Sequence, residues 1–159
     1  MEVVFEPTSR EDAEVWALYA EYIREIDGPL LAAGVVSEGE LDEDAGAGPP
    51  ADLAPPAGLL LVARVAGAPA GLGGLRHLDT GVAEVKSMYV SPAHRGTGLA
   101  RRILARLERI AAEHDCGAVR LDTSSYLTAA IALYRSVGYV EVPDYNRNPK
   151  ADLWFERQL

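Results

Sequence analysis

The sequence predicts a mixed α/β fold, a mostly antiparallel central sheet flanked by helices, and three observations carry that expectation. Short alternating runs bounded by Gly, Pro and Asp occur at 59–65, 70–77 and 82–90, with turns of hairpin length between them. Ala100, Ile103, Leu104, Leu107, Ile110 and Ala111 then repeat at i, i+3, i+4, i+7, with arginines on the opposite face, the pattern of an amphipathic helix. A strand at 118–121 follows that helix, so the chain crosses over and this strand runs parallel to 82–90.

Taken in order, Val3-Val4-Phe5-Glu6 reads as a short strand stopped by Pro7. Ser9 is an N-cap candidate, and Ala13, Trp16, Ala17, Ala20 and Ile23 give a helix over 10–26, ended by Asp27-Gly28-Pro29. Residues 42–58, rich in Gly, Pro, Ala and Asp, read as a long loop. Strands 59–65, 70–77 and 82–90 form the meander, and the amphipathic helix ends near Asp115-Cys116-Gly117 with Gly117 as its cap. Strand 118–121, a helix over 127–137 stopped by Gly138, a strand from Tyr139 to Val142 and a last strand around Leu153-Trp154-Phe155 complete the chain.

A chain of 159 residues suits one domain, 1–159, which at this size buries about 70% of its unfolded surface without a metal or disulfide. Its 48% hydrophobic and 25% charged residues exclude a disordered polymer. The longest charge-poor stretch is broken by prolines, so no membrane span is expected. The first residues lack a basic leader and an apolar run, so the expected location is the cytoplasm. One cysteine, Cys116, excludes an internal disulfide, and His77, His94 and His114 are too scattered for a metal site.

Charge is uneven. The net charge is −9, yet Lys86 to Arg109 holds six basic residues and one acid. A net-acidic protein repels a phosphate backbone, so nucleic acid is not the expected partner; a local basic island suits a small polyanion. The basic island surrounds the junction Val90-Ser91-Pro92-Ala93-His94-Arg95-Gly96-Thr97-Gly98-Leu99-Ala100, which joins a strand to the amphipathic helix. Glycines there let a ligand approach the backbone, and the helix start presents unpaired N–H groups and a positive dipole end. A Walker A loop requires Gly-Lys-Ser/Thr, which is absent, and a dinucleotide fingerprint requires a small residue where Arg101 stands.

Arg95-Gly96-Thr97-Gly98-Leu99-Ala100 resembles the R/Q-x-x-G-x-G/A signature of the GCN5-related N-acetyltransferases, GNATs. The strand before it, Glu84 to Pro92, and the helix segment Ala129-Ala130-Ile131-Ala132-Leu133-Tyr134-Arg135-Ser136-Val137-Gly138-Tyr139 are similar to that family's in kind and order. The resemblance covers roughly residues 59–142, looks like the small single-domain bacterial type, and implies the acyl-CoA N-acyltransferase fold.

The resemblance implies acetyl-CoA as cosubstrate. Its pyrophosphate would lie on the N–H groups of Gly96, Thr97, Gly98, Leu99 and Ala100, with Arg95 at the loop's start and Arg101, Arg102 or Arg106 as auxiliary contacts. Its pantetheine arm would run along Met88, Tyr89 and Val90, where the Met88 N–H polarises the thioester carbonyl. Glu84 takes the position of the family's general base, acting directly or through water, and Tyr134 that of its general acid. The reaction implied is direct acetyl transfer to a primary amine of a small molecule or peptide. Tyr22, Tyr126, Tyr145, Asn146 and Arg147 are candidates for the acceptor pocket, and exposed sheet edges are compatible with a homodimer. The sequence departs from the family pattern at Leu127, where many members carry a cofactor-contacting Asn; Ser124, Ser125 and Thr128 are the candidate substitutes. The alternative function on the same fold is a non-catalytic acyl-CoA sensor or interaction module.

Overall fold

A computed structural model describes residues 1–159. Seven strands form one sheet: β1 (Val3–Thr8), β2 (Gly58–Val65), β3 (Ala68–Asp79), β4 (Val82–Val90), β5 (Ala118–Thr123), β6 (Val140–Glu141) and β7 (Leu153–Gln158). Their order is β1-β2-β3-β4-β5-β7-β6, and only β4 and β5 pair in parallel. The helices are α1 (Ala13–Ala32), α2 (Glu38–Ala47), α3 (Leu99–Glu113) and α4 (Thr128–Ser136). No helix is long and apolar enough to cross a membrane.

The main core lies between the sheet and α3, where Ile103, Leu104 and Leu107 are fully buried against Val85, Val119 and Phe155. Gly71 and Gly73 on β3 let α3 approach that closely: a Cβ at either position would come within 2.8 Å of Ile103 or Leu107. A second cluster joins Leu18, Tyr19 and Ile23 of α1 to Leu72 and Tyr89. The meander, the crossover helix and the parallel pairing are as the sequence predicts.

Several boundaries differ. β1 continues through Pro7 to Thr8, which an edge strand tolerates because a proline there needs no ladder donor. The α1 N-cap is Asp12, whose carboxylate accepts from the N–H groups of Glu14 and Val15. This helix runs past Asp27-Gly28-Pro29 to Ala32 because Asp27 and Leu30 are buried on its inner face. The segment expected as a loop from 42 begins inside α2, which a Ser37–Glu40 capping box starts and Leu41 and Ala45 anchor. Gly117 is not a cap: α3 ends at His114, and Asp115 takes the left-handed conformation.

The chain opens a cleft where two neighbouring strands part. β4 and β5 pair only from Val82/Ala118 to Glu84/Arg120, whereas β5 keeps pairing with β7 as far as Thr123. Beyond Glu84, β4 carries a bulge: Leu72 to Gly74 on β3 spans Tyr89 to Lys86, and Ser87 has φ +55°. The β5-facing edge of Val85–Val90 is therefore released from the sheet.

Candidate active site

One cavity of about 1120 Å³ occupies this cleft and reaches from the head of α3 to the loop before β7. Its first end is built by the residues between β4 and α3. Gly96 and Gly98 hold φ +72° and +81°, and Gly98 caps α3 without any side chain filling the cap. No N–H from Gly96 to Arg101 donates to a protein acceptor, while Arg102 is the first to close a helical bond, onto Gly98 O. That leaves a set of convergent donors at the positive end of α3, the geometry that holds a phosphate.

Of the residues the sequence assigns to the cofactor, Met88, Tyr89, Val90, Arg95, Gly96, Gly98, Leu99, Ala100 and Arg101 line the cavity. Thr97 does not line it; its hydroxyl caps the preceding turn by donating to His94 O. The Arg95 guanidinium is braced by Glu25 at 2.5 Å and by Val90 O, and it lies over the Tyr89 ring, which ties the loop to α1. Arg101 donates to Ser136 Oγ at 2.8 Å. Arg102 turns away to Met1 O and the Phe5 ring, so it is no auxiliary cofactor contact, and Lys86 belongs to the opposite end of the cavity. Arg106 and Arg109 do not line the cavity, so of the six basic residues of the island Arg95 and Arg101 remain at the α3 end. At the position of the missing Asn, Leu127 lines the wall beside Thr128. Ser124 and Ser125 are committed to Lys150 O and Asp152, which leaves Thr128 as the free hydroxyl there.

Tyr134 lines the middle of the cavity and packs against Tyr139 and Phe155. Its hydroxyl has no protein partner, and no buried side-chain polar atom in the protein lacks one, so it opens onto the cavity. Burial, with the Asp122 charge adding, pushes the phenol well above its ordinary value, which keeps it protonated.

The far end rests on a charged ladder across the sheet face opposite α3. Arg76 on β3 sits opposite Glu84 on β4, Glu84 opposite Arg120 on β5, and Arg120 opposite Glu156 on β7. Glu84 is 0% exposed and is not on the cavity wall. Its Oε1 accepts both Nε and Nη2 of Arg76 at 2.7 Å; its Oε2 accepts the Tyr145 hydroxyl at 2.5 Å and Asn146 Nδ2 at 3.3 Å. The carboxylate is sealed and its lone pairs are taken, so of the two ways the sequence left open for Glu84 to serve as base, directly or through water, the direct one is not available. Tyr145 is likewise drawn under the wall by Glu84, and Arg147 lies off the cavity, its N–H donating to Asp144. Tyr22, Tyr126 and Asn146 do line it.

Sequence reasoning missed Asp122, Arg76, Asp52 and the Asp27–Lys150–Asp44 group, all on the wall. The period-2 pattern Glu84-x-Lys86 and Arg120-x-Asp122 inside apolar strands was their signal, because it puts charges on one sheet face.

Comparison with known proteins agrees with this geometry. The sequence profile described as Acetyltransferase (GNAT) family matches residues 11–139. An IAA acetyltransferase of Azospirillum brasilense is 41% identical over 91 residues, 56% of this chain and 59% of that protein. This chain therefore spans less than two thirds of that relative's length. A Klebsiella pneumoniae protein assigned as an acyl-CoA N-acyltransferase superposes with a TM-score of 0.72 at 27% identity, over 99% of this chain and 97% of that one. The PaiA N-acetyltransferase of Thermoplasma acidophilum, solved in complex with coenzyme A, gives a TM-score of 0.75 at 17% identity over both whole chains. With the profile covering most of its length and the split between β4 and β5 leading to an open-ended α3, the chain belongs to the GNAT acetyltransferase family.

Proposed function

We propose that this protein is an N-acetyltransferase that moves the acetyl group of acetyl-CoA directly to a primary amine of a small molecule or peptide. The observation that carries the reading is the single cavity joining the open N–H groups at the head of α3, the released edge of β4 and the Tyr134 hydroxyl. The residues present fit the cosubstrate. The N–H groups of Gly96 to Arg101 suit its pyrophosphate, and the free β4 edge at Met88 and Val90 suits the amides of its pantetheine arm, which would add as a strand.

The thioester supplies an activated acetyl group. The Met88 N–H, next to the bulge, polarises the thioester carbonyl, and negative charge growing on that oxygen is offset by the donor. The neutral amine, its extra proton lost to solvent, bonds through nitrogen to the carbonyl carbon; as the carbon–sulfur bond breaks, Tyr134 gives its proton to the departing sulfur, and the proton that the nitrogen sheds returns to the phenolate. Glu84 acts as a positioning residue: through Asn146 and Lys86 it fixes the acceptor end. Leu127, Ala130 and Leu133 give the cleft apolar walls.

Thermal unfolding with acetyl-CoA, CoA, ATP and NAD added separately tests the reading. At 100 times its Kd a ligand adds about 2.7 kcal/mol, which for a domain of this size raises the melting temperature by roughly 5–10 °C. The expected result is a rise with acetyl-CoA and CoA alone, followed by thiol release with amine acceptors. No rise with either at millimolar concentration overturns the proposal.

A further inference from the structure

Counting Glu84 behind the wall, the groups around the acceptor end of the cavity are five carboxylates to four cations, and one carboxylate oxygen there is open. Asp52, Arg76, Glu84, Lys86 and Asp122 form an alternating chain: Arg76 bridges Asp52 and Glu84 at 2.7 Å, and Lys86 lies 3.8 Å from Glu84 and 2.9 Å from Asp122. That chain has three acids and two bases. Across the cavity, Lys150 is held between Asp27 and Asp44 at 2.8 and 2.5 Å, again with one acid in excess. Arg10, at the rim and bonded to Ala47 O, offsets one of the two.

Within this arrangement Asp122 is singular. Lys86, Asn146 and Asn148 all donate to its Oδ2, at 2.9, 2.5 and 3.3 Å, while Oδ1 accepts nothing. The side chain is only 10% exposed, it lines the cavity, and no buried side-chain polar atom is left unpartnered, so Oδ1 faces the cavity space. The Tyr22 hydroxyl, also without a protein partner, lines the same space as Tyr134. The charge of Asp122 reaches both rings, since it raises both phenols above their ordinary value after burial has done so.

We propose that Asp122 Oδ1, with the Tyr22 and Tyr134 hydroxyls, is the anchor for the ammonium group of the acceptor, and that the acceptors are cationic alkylamines without a neighbouring carboxylate. Beside Asp122 a ligand carboxylate finds no free partner: Arg76, Lys86 and Lys150 are each already held by protein carboxylates, and Arg10, bonded to Ala47 O, is the one cation at this end that is not. An ammonium pairs with the open carboxylate oxygen, in a cavity whose wall also carries Tyr22, Tyr126 and Tyr134. This site lies beyond Glu84, which the anchor needs only as the group that holds Asn146 in place. The inference deepens the acetyltransferase reading, and it rests on that reading only for the acetyl transfer once the amine is bound.

The test is equilibrium titration of n-hexylamine, 1-hexanol and norleucine into the free and the CoA-saturated protein, followed by backbone amide chemical shifts. Hexylamine is expected to bind at least tenfold more tightly than hexanol or norleucine and to shift the Asp122 and Tyr134 amides. Asp122→Asn is expected to weaken hexylamine at least tenfold with hexanol unchanged, and Tyr22→Phe to weaken it a few fold; the same spectra report whether each variant is folded. Equal binding of hexanol or norleucine, or shifts that bypass Asp122, overturns the proposal even if Asp122→Asn fails to fold. If CoA leaves the Gly96–Ala100 amides unmoved, the acetyltransferase reading falls, while the amine titration still decides the anchor.

Discussion

Glu84 and Tyr134 are assigned by the sequence to the same reaction, yet their surroundings separate them. Glu84 is enclosed by donors, and Arg76, its ionic partner, is only 29% exposed. Glu84→Gln keeps the shape but leaves that guanidinium facing a neutral amide. Breaking a buried pair costs about 3–5 kcal/mol, and the partial exposure of Arg76 puts this case near the lower figure. The expected fall in melting temperature is about 6–12 °C, with a rise in the acceptor KM as Asn146 loosens; an unchanged melting temperature removes Glu84 from the positioning role. Tyr134 instead touches open cavity. Tyr134→Phe is expected to lower kcat by about 100-fold, the usual scale for a proton donor, with the CoA Kd unchanged by calorimetry. Burial holds this phenol above its ordinary value of about 10. The stability gained from its neutral form is thus present below pH about 10 and lost as pH rises through the folded value. A pH–kcat profile therefore shows no alkaline fall from this group below pH about 10; such a fall, if it disappears in Tyr134→Phe, would show the phenol titrating there and overturn the raised value.

At the scale of elements, what could be read in advance was what has a strong period or an unambiguous punctuation. α3 announces itself by a six-position apolar stripe and by glycines before Leu99, and the sequence placed both the helix and the loop that leads into its open N–H groups. α2 was hidden because Gly39, Gly46, Asp42 and Asp44 lower its helix propensity and only Leu41 and Ala45 are buried. Its one signal was the Ser37–Glu40 capping box. The bulge at Ser87 and the parting of β4 from β5 left no local mark, since both are set by pairing across strands far apart in the chain. Site residues divide the same way: the α3 head and Tyr134 lie in contiguous motifs, whereas Asp122, Arg76 and Lys150 meet only through the sheet. The α3 head also gives a test. A Cβ at Gly98 would meet no atom within 4 Å, so Gly98→Ala reports backbone strain alone. With φ at +81° it is expected to cost about 1–2 kcal/mol, and to weaken CoA binding by re-aiming the N–H groups. Unchanged stability and Kd, measured by urea unfolding and calorimetry, rule out the strained cradle.

On the scale of the whole molecule, one side chain closes the far end of the cavity by joining three distant parts of the chain. Lys150 reaches from the segment before β7 to Asp27 in α1 and Asp44 in α2, across 123 and 106 positions of sequence. Burial pulls its ammonium toward neutrality, but the two carboxylates outweigh that and raise its pKa. A cation whose folded value is raised contributes stability in full below its unfolded value of about 10.4 and loses it as pH rises through the folded value. The latch therefore holds through neutral pH. Asp27 is 1% exposed, so Lys150→Met leaves it buried with no cation. That is expected to cost about 3 kcal/mol, the low end for a broken buried pair because Lys150 itself is 32% exposed. Asp27→Asn added to Lys150→Met removes the stranded charge and is expected to recover about 1–2 kcal/mol, a coupling that only residues in contact show. Urea unfolding of the two single variants and the double variant measures it. Additive losses would mean that Lys150 holds the C-terminal segment by packing alone, and the far end of the cavity would then owe its closure to the apolar contacts of α1 and α2.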